Sequence, residues 1–258
     1  MKNYKMTIAY DGSGYYGYQR QPRHMTIQEV LERTLSKLFK MQIKINGSGR
    51  TDTGVHALGQ VINFTSELSV PLDKLPFAIN NLLPPDIRVC AVEHAAAEFH
   101  ARYSARGKHY RYKILQTKQI NPFMQRYMWQ LEQPLDLEAM QRATMLIRGE
   151  HDFTTFRSTG SIQGSAVRHV NAADWQLKDL ADSGFGIESD VCGQVYAFDI
   201  YGNGFLYHMV RNLVGTIAQV GMGKMSVSEF EVLFNNKRRV NKCITAPPQG
   251  LYLVRVEY

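Results

Sequence analysis

The stretch "NGSGRTDTGVHALGQV", residues 46–61, crowds three glycines, an arginine and an aspartate into its first nine residues and then turns apolar. A short polar connection between two strands needs glycine or a small polar residue wherever φ is positive, and Gly47, Gly49 and Gly54 answer that need. A turn alone does not account for Arg50 and Asp52. Two residues apart in an extended segment, they point the same way, so they either converge on one site or form a weak surface ion pair. Spacing by itself puts the turn first.

Outward from this stretch, the first half of the chain reads as strand, helix, strand, motif, strand. Met6 to Tyr10 is a predicted strand, and "MTIQEVLERTLSKLFKM" a helix, with Thr26 and Glu29 spaced as a capping box and Ile27, Val30, Leu31, Leu35 and Leu38 on one face. "QIKINGSG" returns as a strand, Gln60 to Phe64 continues as another, and Leu72 to Leu83 forms a short helix closed by Pro84 and Pro85. Near residue 105 the pattern restarts with the alternating strand "GKHYRYKILQ", then a helix from Leu137 to Arg148 ending at Gly149.

"GQVYAFDIYGNGFLYHMVRNLVGTIAQVGMG" then predicts a strand, a turn and an amphipathic helix. Leu206, Met209, Val210, Leu213, Val214 and Ile217 form its apolar face, with His208, Arg211 and Asn212 off it. Ser226 and Glu229 make a second capping box, and "GLYLVRVEY" closes the chain as a strand. Each half mixes strands with one or two helices, which predicts an α+β fold of two similar mixed α/β halves. Residues 158–170, rich in Ser and Gly, read as a mobile loop.

The totals bound the function. A chain of 258 residues accommodates two domains of roughly 100–150 residues each, and 44% hydrophobic residues with 21% charged is ordinary globular usage. Lys and Arg number 30 against 23 Asp and Glu, a net +7 that favours a polyanionic partner. The three cysteines, Cys90, Cys192 and Cys243, are scattered, so neither a disulfide framework nor a zinc site is expected. "MKNYKMTIAYDG" is too short in apolar residues for a signal peptide, and no run reaches the roughly 20 needed to span a bilayer. A cytoplasmic protein without membrane attachment is expected.

"GSGYYG", Gly12 to Gly17, matches a dinucleotide-binding fingerprint in form only, because no helix follows at once and Glu32 sits within a helix, where a ribose-binding acid would end a strand. It reads as a glycine-shaped turn whose Tyr15, Tyr16 and Tyr18 either pack or stack on bases. His56, His151 and His208 take structural readings.

"GSGRTDTGVHALGQV" resembles the signature of the tRNA pseudouridine synthase A (TruA) family. The resemblance runs through "YDGSGYYGYQRQ", "IQEVLERTL", "FHARYSARGKHYRYKI", "GEHDFTTF", "GNGFLYHMVRNLVG" and "APPQGLYLVRVEY" in order. It loosens in "SIQGSAVRHVNAADW", where Arg168 is followed by His169 in place of the usual Arg-Thr pair. The resemblance implies the pseudouridine synthase fold, with largely antiparallel sheets flanking a basic cleft. On that basis residues 1–104 form an N-terminal α+β domain carrying the aspartate motif, and residues 105–258 a C-terminal α+β domain completing the cleft.

The same resemblance implies isomerisation of uridine to pseudouridine in the tRNA anticodon stem-loop, at positions 38, 39 and 40, without cofactor or metal and as a homodimer. Asp52 is then the catalytic carboxylate, attacking C1′ or assisting loss of uracil. Arg211 pairs with it, Tyr110 contacts the target base, and Arg50 helps the base flip out of its stack. Tyr110 is safer as a stacking group, since a phenol titrating near ~10 is a poor base at neutral pH. Arg106, Lys108, Arg111, Arg168 and residues 237–239 are candidate phosphate contacts. The other readings are a non-catalytic tRNA-binding or chaperone protein, which tolerates loss of the carboxylate, and a glycosylase, which releases free uracil.

Overall fold

The computed structural model describes residues 1–68, 70–158, 164–180, 193–238 and 243–258. They divide into two compact units, Met1–Lys108 with Tyr252–Tyr258, and His109–Leu251.

In the first unit, β1 (Lys2–Tyr10) runs antiparallel to β3 (His56–Ser66) on one side and to β4 (Ile87–Ala95) on the other. The terminal strand β10 (Leu251–Glu257) pairs with β3 in parallel, Tyr252 opposite His56, an exception to the expected antiparallel pairing. Helix α1 (Ile27–Phe39) starts where the capping residue predicts, Thr26 Oγ1 accepting the Glu29 N–H at 3.4 Å. The Glu29 carboxylate lies 3.8 Å from Arg20. The face of α1 bearing Ile27, Val30, Leu31 and Leu35 is buried, and Tyr4 stacks on Phe64 at 5.1 Å with Phe39 edge-on at 5.8 Å. Helix α2 (Leu75–Asn80) is shorter than its apolar pattern suggests.

The second unit orders its strands β5 (Gly107–Gln116), β9 (Gln194–Gly202), β8 (Val167–Asp179) and β7 (Gly149–Asp152), with β6 (Trp129–Leu131) parallel to β5. Helices α3 (Leu137–Met145), α4 (Met209–Gly221) and α5 (Val227–Asn235) complete it. Ser226 and Glu229 form both halves of a capping box, the serine hydroxyl accepting from Glu229 N–H at 3.1 Å and the glutamate from Ser226 N–H at 2.8 Å. The core gathers Phe153, Phe156, Phe198, Phe230 and Trp175, whose indole N–H reaches Thr144 Oγ1 at 3.0 Å.

Three local expectations change. The strand from "QIKINGSG" reduces to β2 (Asn46–Gly47), because only these two residues find a ladder partner, Asn63 and Ile62 on β3. Residues 167–170 of the expected loop belong to β8, where Arg168, His169 and Val170 pair with His151, Glu150 and Gly149; residues 159–163 lie outside the described residues. Asn212, off the apolar stripe by helical spacing, is buried at 2% exposure because backbone of a neighbouring segment crosses above it and needs its amide.

Candidate active site

The segment from Ser48 to Val55, between β2 and β3, is pinned at its entry by three polar side chains. Ser48 donates its N–H to Val61 O at 2.8 Å, and its buried hydroxyl bonds to the Gln60 side-chain oxygen. Gln60 Nε2 donates to Gly49 O at 2.9 Å, and Lys108 Nζ to Ser48 O at 2.8 Å. Burial, with the Arg102 charge added, brings the Lys108 ammonium down to about 8 from an ordinary 10.5.

The middle of the segment rests on the turn after β1. Thr51 is buried, its hydroxyl 2.8 Å from the Tyr10 phenol, and its carbonyl accepts Tyr18 N–H at 3.0 Å. Burial pushes the Tyr10 hydroxyl up to about 12, so it stays a neutral hydrogen-bonding group. Gly17 sits at φ 77°, and a Cβ there would lie 2.8 Å from Thr51 O and 3.2 Å from the Asp52 carbonyl carbon. Val55 N–H then bonds to Asp52 O at 3.1 Å, closing the turn over Gly54 at φ 78°.

Asp52 is therefore half-buried, between a buried Thr51 and an exposed Thr53, with Arg50 exposed. Residues 50–52 join no strand ladder, and the exposure of Thr53 beside half-buried Asp52 breaks the alternation of an extended segment. The glycine-shaped reading of "GSGYYG" holds: a Cβ at Gly12 would meet Val55 O at 2.0 Å, and Gly12 N–H donates to His56 Nδ1 at 3.2 Å. Tyr15 and Tyr18 pack inward, whereas Tyr16 stays exposed.

In the second unit Tyr110 lies on β5, largely buried and edge-on to Phe205 at 5.2 Å. Its neighbours His109 and Arg111 both turn to Asp199 of β9. Arg111 Nε donates to Asp199 Oδ1 at 3.0 Å and Nη2 to Oδ2 at 3.1 Å, while His109 Nε2 donates to the same carboxylate and its ring stacks on Tyr201 at 4.0 Å. Burial raises the Asp199 carboxyl, but these hydrogen bonds and charges outweigh it and leave the group below its ordinary value. Arg211 occupies the first turn of α4, its Nε donating to Ala246 O at 2.8 Å and its carbonyl accepting Ala246 N–H at 3.0 Å.

Of the candidate phosphate contacts, Arg111 is engaged by Asp199 and Lys108 by Ser48. Arg168 donates to Ser165 O and Val167 O at the surface, Arg106, Lys237 and Arg238 are exposed, and Arg239 lies outside the described residues. Sequence reasoning missed Asp199, a single acid within an apolar strand, whose burial was the available signal, and missed the Lys108 contact altogether. His151 and His208 serve as hydrogen-bonding residues, to Arg148 O at 2.7 Å and Ser158 Oγ at 3.0 Å. Among the described residues, no three His, Cys, Asp or Glu side chains group as a metal site, and no helix is long and apolar enough to cross a membrane.

The family model described as tRNA pseudouridine synthase matches residues 6–104 and 143–258. A tRNA pseudouridine synthase A of Thermoanaerobacter sp. (strain X514) is 40% identical over 258 residues, covering 100% of both chains. One from Geobacillus sp. (strain WCH70) is 43% identical, covering 100% of this chain and 98% of the relative. Among solved structures, a Cbf5-Nop10-Gar1 complex is similar with a TM-score of 0.34 at 12% identity, over 83% of this chain and 45% of that one. With the carboxylate motif held as described and sequence identity running end to end, this chain belongs to the tRNA pseudouridine synthase family.

Proposed function

We propose that Asp52 is the catalytic carboxylate of an enzyme that isomerises uridines 38, 39 and 40 in the anticodon stem-loop of tRNA. As a member of its family the chain converts uridine to pseudouridine in tRNA. The N1–C1′ bond breaks, a C5–C1′ bond forms, the proton leaves C5, and N1 gains one, so nothing is oxidised or hydrolysed. The observation that carries the assignment of Asp52 is the packing of its backbone: Gly17 lies against it, Tyr18 and Tyr10 hydrogen-bond to Thr51, and Val55 closes the turn. A carboxylate that must meet a sugar carbon needs that kind of preorganisation.

In this reading Arg211 pairs with the aspartate, Tyr110 stacks on the target base, and Arg50 assists its eversion, which costs a few kcal/mol. The enzyme acts as a homodimer in the reducing cytoplasm, where an exposed thiol such as that of Cys90 persists.

Asp52→Asn incubated with unmodified tRNA is the test, with pseudouridine mapped at each uridine. Turnover should fall by on the order of 10³-fold or more while tRNA is still bound. Turnover within about tenfold of the parent overturns the role of Asp52, and stoichiometric free uracil from the parent enzyme overturns the isomerase.

A further inference from the structure

The turn between β1 and α1 holds side chains that this reaction scheme does not use. Gln21 and His24 close a four-residue turn through an isolated bridge, and Arg23 occupies its third position at φ 65°. That backbone region suits glycine, and a side chain held there is strained, a condition that clusters at functional sites. Tyr16, 52% exposed, stacks on the His24 ring at 4.0 Å and 21°, and its N–H bonds to Met25 O at 2.9 Å, tying the two sides of the turn together.

Arg20, Arg23 and Arg33 line a concavity of about 540 Å³ beside this stack. Arg20 is partly neutralised, 3.4 Å from Glu32 and 3.8 Å from Glu29. Arg23 and Arg33 are exposed and have no carboxylate within ion-pair distance among the described residues. An open aromatic face next to uncommitted guanidinium groups matches single-stranded nucleic acid: the ring takes a base, and the arginines take flanking phosphates without reading sequence. The location fits as well, because Gly17, the residue after Tyr16, is the one whose backbone packs on Thr51 and Asp52.

We propose that the Tyr16–His24 stack seats an unpaired base of the tRNA close to the target uridine, with Arg23 and Arg33 holding the neighbouring phosphates. Only the closeness to the target rests on Asp52 being the catalyst; the binding of RNA by the stack does not.

Equilibrium binding of an unmodified tRNA transcript across a salt series tests it, on the full chain and again on Asp52→Asn. Tyr16→Ala should bind about tenfold more weakly and Tyr16→Phe like the parent. Arg23→Gly should weaken binding and flatten the log–log salt slope by about 0.7, the share of one phosphate on a single strand. The same Arg23→Gly protein should melt no lower than the parent, because glycine accepts φ 65°. Unchanged affinity and slope in Tyr16→Ala and Arg23→Gly overturn the proposal, as does an affinity loss in Arg23→Gly that follows a loss of melting temperature. Persisting turnover of Asp52→Asn leaves these binding contrasts intact, so the two failures are told apart.

Discussion

Lys108 places its ammonium nitrogen 2.8 Å from the carbonyl oxygen of Ser48 and occupies the space that a side chain on Gly49 would need, 2.9 Å from the position of its Cβ. A cation on β5 thereby grips the backbone just ahead of Arg50 and Asp52. Charge at this nitrogen is adjustable, since burial and Arg102 bring it down to about 8.

Stability and activity should therefore respond to pH in opposite directions. Between about 8 and 10.5 the folded chain releases the Lys108 proton while the unfolded chain keeps it, so this group makes stability rise with pH across that window. Below it both states are protonated and the desolvation cost stands in full. Above about 8 the neutral amine is a weaker donor to Ser48, and single-turnover rates should decline. Lys108→Arg, charged throughout, should lose that alkaline limb, and a limb unchanged in this variant would refute the assignment.

Gly17→Ala should destabilise by about 2–4 kcal/mol, from a side chain forced to positive φ and from crowding against Thr51 O. Turnover should fall with it, because the displaced backbone is that of Asp52. Gly14→Ala is the control: nothing lies within 4 Å of its Cβ position, and its urea midpoint should move by no more than about 0.5 kcal/mol equivalent.

Asp199→Asn should cost about 1–3 kcal/mol in urea unfolding, less than a fully buried pair because Arg111 is 32% exposed and can be rehydrated. The carboxyl is lowered in the folded state, so its contribution is present above the ordinary carboxylate value and lost as pH falls through the folded one. The acid limb of the stability profile should accordingly flatten in the variant.

Asn212→Leu should lose about 1–3 kcal/mol despite adding apolar surface. Its amide donates to Phe156 O at 2.8 Å and its carbonyl accepts the Thr245 hydroxyl at 2.6 Å, and both partners would be left without it. Thermal melting of Asn212→Leu beside Asn212→Asp, which keeps the acceptor for Thr245 but not the donor to Phe156 O, separates the two bonds.

Sequence legibility followed the range of the interactions involved. Thr26 and Ser226 were found as caps because a cap is satisfied within three residues, and β5 emerged with the bounds of its alternating pattern. Helix α3 ended at Met145, short of the predicted Arg148, as the chain turned through Leu146 to reach β7 at Gly149, with φ 96°. Of the proposed site, the residue types and their order could be read directly. What Gly17 does to Thr51 and Asp52 could not, because 34 and more residues separate the partners, and spacing carries no record of such a meeting.

The sequence by itself determined the family, the helices, the strands β1, β3, β5, β9 and β10, and the presence of a lone carboxylate in a glycine-rich turn, all of which follow from local patterns of polarity and backbone freedom. Tertiary structure alone decided which charges are committed and which remain open: Arg111 to Asp199, Lys108 to Ser48, Arg23 and Arg33 to neither. It also decided that the last strand joins the first unit beside His56. The reason is physical: an ion pair or a strand pairing is chosen by where distant segments are brought by the burial of apolar surface, and that choice depends on the whole chain.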